Sequence, residues 1–504
     1  MKNSYKLKSA AAFGLIAILL AGCFNSDSGS MSGMDHSNMS GMDHSNMNRG
    51  DKPISQESNN NTTKVSTLTG KEFTLTAKAS NHEIAPGKTM PVWTYNNSVP
   101  GPEIRVKQGD TVKINLKNEL PEPVSIHWHG VPVPNRMDGI PGVTQDAVQP
   151  GGTFMYEFKA EVPGTYWYYS HQDSVNQLDR GLYGSFIVEG TNEDQVDRDY
   201  TLMLDEWVSS GMTMAGMNMS SGMSDMNGNM SNMDHSQMNM ESSKSPSANT
   251  PMEHNMNMYD LYSINGKSGS LVSQLPVKAG DKVRLRLINA GYLPHQIHLH
   301  GHEFKVTATD GQPINNPALL KDNIVNIGPG ERYDIEFTAN NPGQWLLEEH
   351  GENKAVSGMR AVIAYEGAPS GIAQSNATVA LAAVDLTRYG QAEQTTFSLN
   401  QIFDLEYNMI LNTETKDGKT VYTINGKTFP NTDVLTAKKG DTVKVRLTNK
   451  SQTVDHPMHL HGHFFQVLSK NGKPLEGSPI FKDTLNIKPG EEYIVAFEAD
   501  NPGN

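Results

Sequence analysis

A chain of 504 residues is too long for one hydrophobic core and predicts about three domains. A formal charge of -14 argues against a nucleic-acid partner and suits an acidic soluble body. Hydrophobic residues make up 36% of the chain, and 26 Met and 45 Gly point to long polar segments between folded units.

In chain order, the first predicted element is an export signal over residues 1–22. Lys2, Lys6 and Lys8 make a basic start, and Ala10 to Leu20 form an apolar run too short for a comfortable membrane span. The run closes in Leu20-Ala21-Gly22-Cys23, which resembles the bacterial lipobox. That resemblance implies cleavage before Cys23 and lipidation of its thiol, holding an exported protein on a membrane of the cell envelope. Cys23 is the single cysteine, so no intramolecular disulfide is available. Residues 23–64, rich in Ser, Asn, Gly, Asp and Met, hold few core-forming side chains and are predicted as a flexible tether.

From Val65 onward the texture changes. Short runs such as Thr111-Val112-Lys113-Ile114-Asn115-Leu116 and Val283-Arg284-Leu285-Arg286-Leu287 alternate apolar and polar side chains between Gly, Pro, Asn and Asp breaks. Many short strands without helical periodicity predict an all-β chain of Greek-key sandwiches. An internal repeat divides it. Gln108-Gly109-Asp110-Thr111-Val112, Ala279-Gly280-Asp281-Lys282-Val283 and Lys439-Gly440-Asp441-Thr442-Val443 each open a strand that ends in Asn118, Asn289 or Asn449. Each strand leads to a histidine cluster, His127-Trp128-His129-Gly130, His298-Leu299-His300-Gly301 or His459-Leu460-His461-Gly462, and then to Pro163-Gly164, Pro342-Gly343 or Pro502-Gly503. Four landmarks in the same order predict three related domains at 65–190, 191–366 and 367–504. Residues 211–258 interrupt the second with a Met-rich insertion that has hardly another apolar side chain.

Two histidines separated by one residue on a strand point to one face, so each His-X-His presents two imidazoles, good copper ligands, from one rigid element. His456-Pro457-Met458-His459-Leu460-His461 adds a third imidazole. With Met137-Asp138-Gly139-Ile140-Pro141-Gly142-Val143-Thr144-Gln145, Gly164-Thr165-Tyr166-Trp167 and Arg180-Gly181-Leu182-Tyr183-Gly184, these clusters make the stretch from Val65 to Asn504 resemble the multicopper oxidases, the family of laccases and bacterial copper-resistance oxidases. The resemblance implies three consecutive cupredoxin-like domains and four copper ions. Their chemistry is one-electron oxidation of Cu(I) or small phenolic donors coupled to reduction of dioxygen to water. It assigns His456 to the blue copper where electrons enter, His127 and His459 to a type 2 copper, and His129, His171 and His461 to a type 3 pair. His302 and His463 are expected to be structural.

Two departures from the family stand out. Tyr169-Ser170-His171 replaces His-Ser-His, and a phenol with a pKa of about 10 is a poor substitute for imidazole. The blue-copper cysteine is also absent. Asn501-Pro502-Gly503 repeats Asn341-Pro342-Gly343, and the family's His-Cys-His would follow five residues later, so the third domain is expected to be incomplete and continued beyond Asn504. The second domain keeps His295, His298 and His300 but has Glu349 at its cysteine position. Either it is a decayed copper site or it retains a metal site using His295, Glu349 or His350.

The unit Met-Asp-His-Ser-Asn-Met occurs at Met34 to Met39 and again at Met42 to Met47, with a related copy at Met233 to Met238. Clustered soft thioethers select Cu(I). Met34, Met39, Met42, Met47, Met217, Met219, Met233, Met238 and Met240 are therefore candidates for Cu(I) recruitment. Two functions from different classes follow: a copper-dependent oxidase serving copper tolerance, or an envelope protein that sequesters copper around an impaired oxidase core. A metal-free scaffold would have lost the histidines that remain here.

Overall fold

A computed structural model describes residues 65–191, 193–209, 259–351, 358–369, 373, 381–416 and 419–503. Cys23, the predicted tether, the insertion at 211–258 and every candidate Cu(I)-recruiting methionine lie outside these residues.

The repeat landmarks are the turns and caps of the strands. Gly109, Gly280 and Gly440 have φ of 89°, 94° and 88°, a left-handed conformation that L side chains resist. The following Asp closes the turn: the backbone N–H groups of Lys107, Lys278 and Lys438 donate to Asp110, Asp281 and Asp441 at 3.1, 2.8 and 2.7 Å. At the far end of each strand a buried asparagine bridges two loops. Asn118, Asn289 and Asn449 donate to the carbonyls of Val148, Ile327 and Ile487 at 2.8, 3.0 and 2.8 Å. Each also accepts from the backbone N–H two residues on.

The strands between these landmarks form pairs of sheets. Thr67–Thr69, Gly101–Lys107, Tyr183–Glu189, Gly164–Tyr169 and His127–His129 make a five-stranded sheet over a four-stranded one built from Glu72–Ala85, Lys88–Tyr95, Thr111–Asn118 and Thr153–Lys159. Two six-stranded sheets follow, covering Arg198–Trp207 through Ala382–Ala383. The last pair is a seven-stranded sheet between Leu405 and Glu498 and the two-stranded ladder of His456–His459 with Thr484–Ile487. Neighbouring strands are repeatedly non-consecutive in sequence, as Greek-key connections require.

Burial follows the two-residue period where one face is solvated. In Thr111–Asn118 and Thr442–Asn449 the inward side chains are Val112, Ile114 and Leu116, and Val443, Val445 and Leu447. The equivalent strand Lys282–Asn289 is buried on both faces. Its outer side chains sit on the first unit, where Arg286 donates to Thr165 Oγ1 at 2.9 Å while also donating to Asp199 Oδ1 of its own unit at 2.9 Å. One apolar core runs without a break through the second and third units, from Leu202 to Ala499. The first unit has its own core around Trp128. A third cluster, including Trp167, Tyr169, Trp207 and Tyr292, lies between the first and second units. The three units are therefore held against each other, with the first and third meeting along their histidine-bearing strands.

Candidate metal centre

In each His-X-His the middle side chain sets the direction of the other two. Trp128, Leu299 and Leu460 are buried in their units' cores, so the flanking histidines emerge on the opposite face. Trp128 is fully buried against Tyr156, Phe158, Tyr168 and Phe186, which makes the His127–His129 strand rigid. Gly130 follows because a Cβ there would lie 2.3 Å from Asp483 Oδ2 and 2.4 Å from Arg332 Nη2.

The first and third units bring five of the six predicted ligand histidines together. His129 stacks on His459 with ring centroids 3.8 Å apart, and His127 lies 4.2 Å from His461. His171, just beyond Gly164–Tyr169, is 5.6 Å from both His127 and His461. Ligand atoms of His127, His459 and His461 lie within 4.8 Å of one another, as do those of His129, His459 and Asp483. His456 stands apart, its ring 5.7 Å from Tyr422 and its Nε2 3.4 Å from Thr413 Oγ1.

Two buried carboxylates orient the rings. Asp138 accepts from His461 Nδ1 through Oδ2 at 2.8 Å and from His127 Nδ1 through its backbone carbonyl at 2.8 Å. The Asp483 carbonyl accepts from His459 Nδ1 at 2.9 Å. The Asp483 carboxylate accepts from Thr484 Oγ1 at 2.8 Å, and that hydroxyl accepts from His129 Nε2 at 2.7 Å. Carbonyls and carboxylates only accept, so the bonded ring nitrogens carry the protons and the opposite ones keep their lone pairs. His127 Nε2, His129 Nδ1 and His459 Nε2 are indeed buried without a hydrogen-bond partner. Orphaned buried nitrogens are costly unless something binds them. Convergent, neutral, nitrogen-rich donors fit copper.

Electrostatics agree. Burial, reinforced by neighbouring imidazoles, holds His129 and His171 well below the ordinary range and pushes His461 down to about 4. Burial raises the Asp138 carboxyl, but His461 and His127 more than offset this and leave it well below the usual range. Asp483 is likewise raised by burial and lowered further by Arg332, whose Nη1 donates to Oδ1 at 2.7 Å. Asp138 lies within a motif legible in the sequence, whereas Asp483 lies in none. The available signal for Asp483 was a charged pair, Lys482-Asp483, leading directly into the buried strand Thr484–Ile487.

Tyr169 occupies the position across the ladder from His127. Its ring is 5.4 Å from His127, 6.0 Å from His129 and 5.8 Å from His171. Burial, with the Asp138 and Asp483 charges added, raises its phenol well above 10, and its hydroxyl has no partner. In the second unit, His295 is 3.4 Å from Glu206 and 3.5 Å from Glu349. Burial alone lowers its pKa, but the two carboxylates overcome this and push it up to about 9. His295 is thus placed as an ion-pair partner of Glu206 and Glu349. His302 and His463 each bond, through Nδ1 at 3.0 Å, the carbonyl of the histidine two residues before them.

Three family models, each described as multicopper oxidase, match residues 76–193, 223–368 and 394–504. The chain is 29% identical to Multicopper oxidase MmcO of Mycobacterium tuberculosis over 443 residues, which covers 85% of this chain and 82% of that protein. It is 31% identical to Copper resistance protein A of Escherichia coli over 288 residues, 54% of this chain, and spans 46% of that relative's length. A solved multi-copper oxidase from Pseudomonas thermotolerans aligns with 87% of this chain and 94% of its own at 27% identity and a TM-score of 0.60.

Proposed function

The chain belongs to the multicopper oxidase family, and on that premise we propose that it is a copper-dependent oxidase acting in copper tolerance. It couples one-electron oxidation of Cu(I) or small phenolic donors to reduction of dioxygen to water. The observation that carries this reading is the meeting of two His-X-His pairs from different units, with lone pairs left free by Asp138 and Asp483. Following the family resemblance, His127 and His459 would hold a type 2 copper, and His129, His171 and His461 a type 3 pair. His456 would hold the copper where electrons enter. The proposed domain limits are 65–190, 191–366 and 367–504.

Bound copper supplies the one-electron redox chemistry and the reduction of dioxygen. The protein's own groups do the positioning. Asp138 and Asp483 keep protons on the outer ring nitrogens, fix each ring's rotation and balance part of the metal's charge. Trp128, Trp167 and Leu460 exclude water around the rings. Upstream, residues 1–23 would export the chain and anchor it through Cys23. The Met-rich stretches at 23–64 and 211–258 would collect Cu(I), the latter partly shielding the entry copper from bulky donors.

The test is oxygen uptake by the copper-loaded protein with Cu(I) and with a phenol, beside His127→Ala/His459→Ala. The double variant should lose at least about 100-fold in rate, in line with loss of metal ligands. Copper binding without any oxygen uptake by the parent would favour the sequestering function instead. Deleting 211–258 should lower Cu(I) oxidation while sparing or raising phenol oxidation, and Cys23→Ser should release the protein from membranes. Equal loss with both donors, or unchanged membrane association, would refute those two assignments.

A further inference from the structure

The second unit contains a histidine cluster that the oxidase chemistry does not use. Register sets His298 opposite Glu348 on the neighbouring strand Gln344–Glu349, and His350 follows directly. His300 Nε2 is 3.0 Å from Glu348 Oε1 and 3.1 Å from His350 Nε2, while His350 Nε2 is 3.8 Å from the same carboxylate oxygen. These spacings are those of a coordination shell. Ligands at about 2.0–2.1 Å from a tetrahedral ion stand roughly 3.3 Å from each other. The three separations bracket that value.

A hydrogen-bonded cluster is the competing explanation, and it fails on His298. One proton shared between His300 and His350, or between His300 and Glu348, satisfies those three side chains. It leaves the fourth ring unsatisfied. His298 lies edge-on to both, 4.3 Å from His300 and 5.4 Å from His350 between ring centroids. Its Nδ1 donates to the Asn323 carbonyl at 2.9 Å, so the lone pair is on Nε2, which is fully buried and has no partner. This is the arrangement that left His127 and His459 with free Nε2 atoms in the centre described above. An approach from solvent exists as well: the Glu348 and His350 side chains keep 19% and 24% of their exposure, while His298 and His300 are buried.

We propose that His300, Glu348 and His350, whose ligand atoms lie within 4.8 Å of one another, form a separate site for a divalent transition cation, with Cu(II) the tightest occupant and His298 edge-on beside it. Two imidazoles and one carboxylate, with the free Nε2 of His298 nearby, are borderline-to-hard donors, and among first-row divalent ions such a set favours copper over zinc. Neither thiolate nor thioether belongs to the set, and the carboxylate is a hard anionic donor, so the set favours Cu(II) over Cu(I). The site therefore holds Cu(II) without cycling it, next to an enzyme proposed to produce that ion.

The experiment titrates the purified full chain with Cu(II) in air, counting copper retained after dialysis and recording its electron paramagnetic resonance. Glu348→Gln/His350→Ala alters only partly exposed side chains, and circular dichroism checks that the fold is kept. The double variant should retain one equivalent fewer, lose one ordinary nitrogen-coordinated Cu(II) signal, and bind that equivalent at least about 100-fold more weakly. Oxygen uptake should be unchanged. His127→Ala/His459→Ala should show the converse, losing uptake while keeping this signal. Equal copper retention in Glu348→Gln/His350→Ala and parent would overturn the proposal and leave the oxidase reading intact. Loss of the signal in His127→Ala/His459→Ala alone would overturn it too, by placing that copper in the inter-unit centre.

Discussion

His127 and His129 face Tyr169 and Trp167 across their ladder, whereas His298 faces Glu348, with His350 beside it. The two strands carry the same motif, each with a buried apolar residue in the middle, Trp128 or Leu299, yet their surroundings differ in where negative charge is placed. Around the inter-unit centre, Asp138 and Asp483 approach the rings from behind, taking the protonated nitrogens and leaving the others inward. In the second unit a carboxylate stands among the inward nitrogens themselves. A nitrogen-only interior with carboxylates outside suits a metal that changes valence, while a mixed interior suits one that stays put. The cross-strand residue, not the His-X-His motif, makes this distinction.

The comparison is broken most severely at Asp483. Removing it by Asp483→Ala leaves Arg332 buried without its bidentate partner and takes away the carboxylate that holds the Thr484 hydroxyl against His129. A buried charge stripped of its partner costs about 3–5 kcal/mol. Urea denaturation should register a loss of that order, and metal analysis should find the inter-unit copper gone. Cu(II) bound at His300 and His350 should remain under conditions where the variant is folded. Joint loss of both would mean that the two clusters are not independent.

A second contrast lies within the second unit, between His295, which neighbouring carboxylates push up, and His298 and His350, which burial pushes down. His295 has its folded pKa pushed up to about 9 by Glu206 and Glu349. Its unfolded value is about 6.5. A raised pKa means the folded state binds the proton more tightly, so the stabilisation is complete below about pH 6.5 and disappears as pH rises through about 9. The shift corresponds to roughly 3 kcal/mol. His295→Gln should therefore be less stable than the parent by an amount of that order near pH 6, and the gap should close by about pH 9. A gap independent of pH would show that His295 acts by packing alone.

The repeat made most of the architecture readable. A Gly-Asp turn, an alternating strand and a terminal asparagine are local devices, and each recurs with the same hydrogen bonds in all three units. The pairing of His129 with Asp483, through Thr484, was not readable, because His129 and Thr484 lie 355 positions apart in two different units. Glu348 was hidden for a different reason. Its proximity to His298 depends on strand register, which a one-residue slip would reverse, and the sequence drew attention to Glu349 instead. Glu349 is taken up by His295 and by the backbone N–H of Gln296 at 2.7 Å.

The smallest expected effect sharpens the comparison at its cross-strand position. Tyr169 is a neutral phenol stacked on Trp167 with centroids 4.5 Å apart, and its hydroxyl is buried without a partner. If that oxygen takes no part in metal binding, Tyr169→Phe removes an unsatisfied polar group and should stabilise the protein by about 1 kcal/mol with copper content unchanged. Tyr169→His should do the opposite on both counts. A smaller ring gives up part of the stacking contact and costs about 1 kcal/mol. It also adds an imidazole near His127, His129 and His171, which should raise copper occupancy and oxygen uptake a few-fold. Metal analysis and oxygen-electrode assays on the pair separate the alternatives. A loss of copper in Tyr169→Phe would make the phenol a ligand. A lack of gain in Tyr169→His would mean that the five existing imidazoles already satisfy the centre, and that Tyr169 was kept for packing.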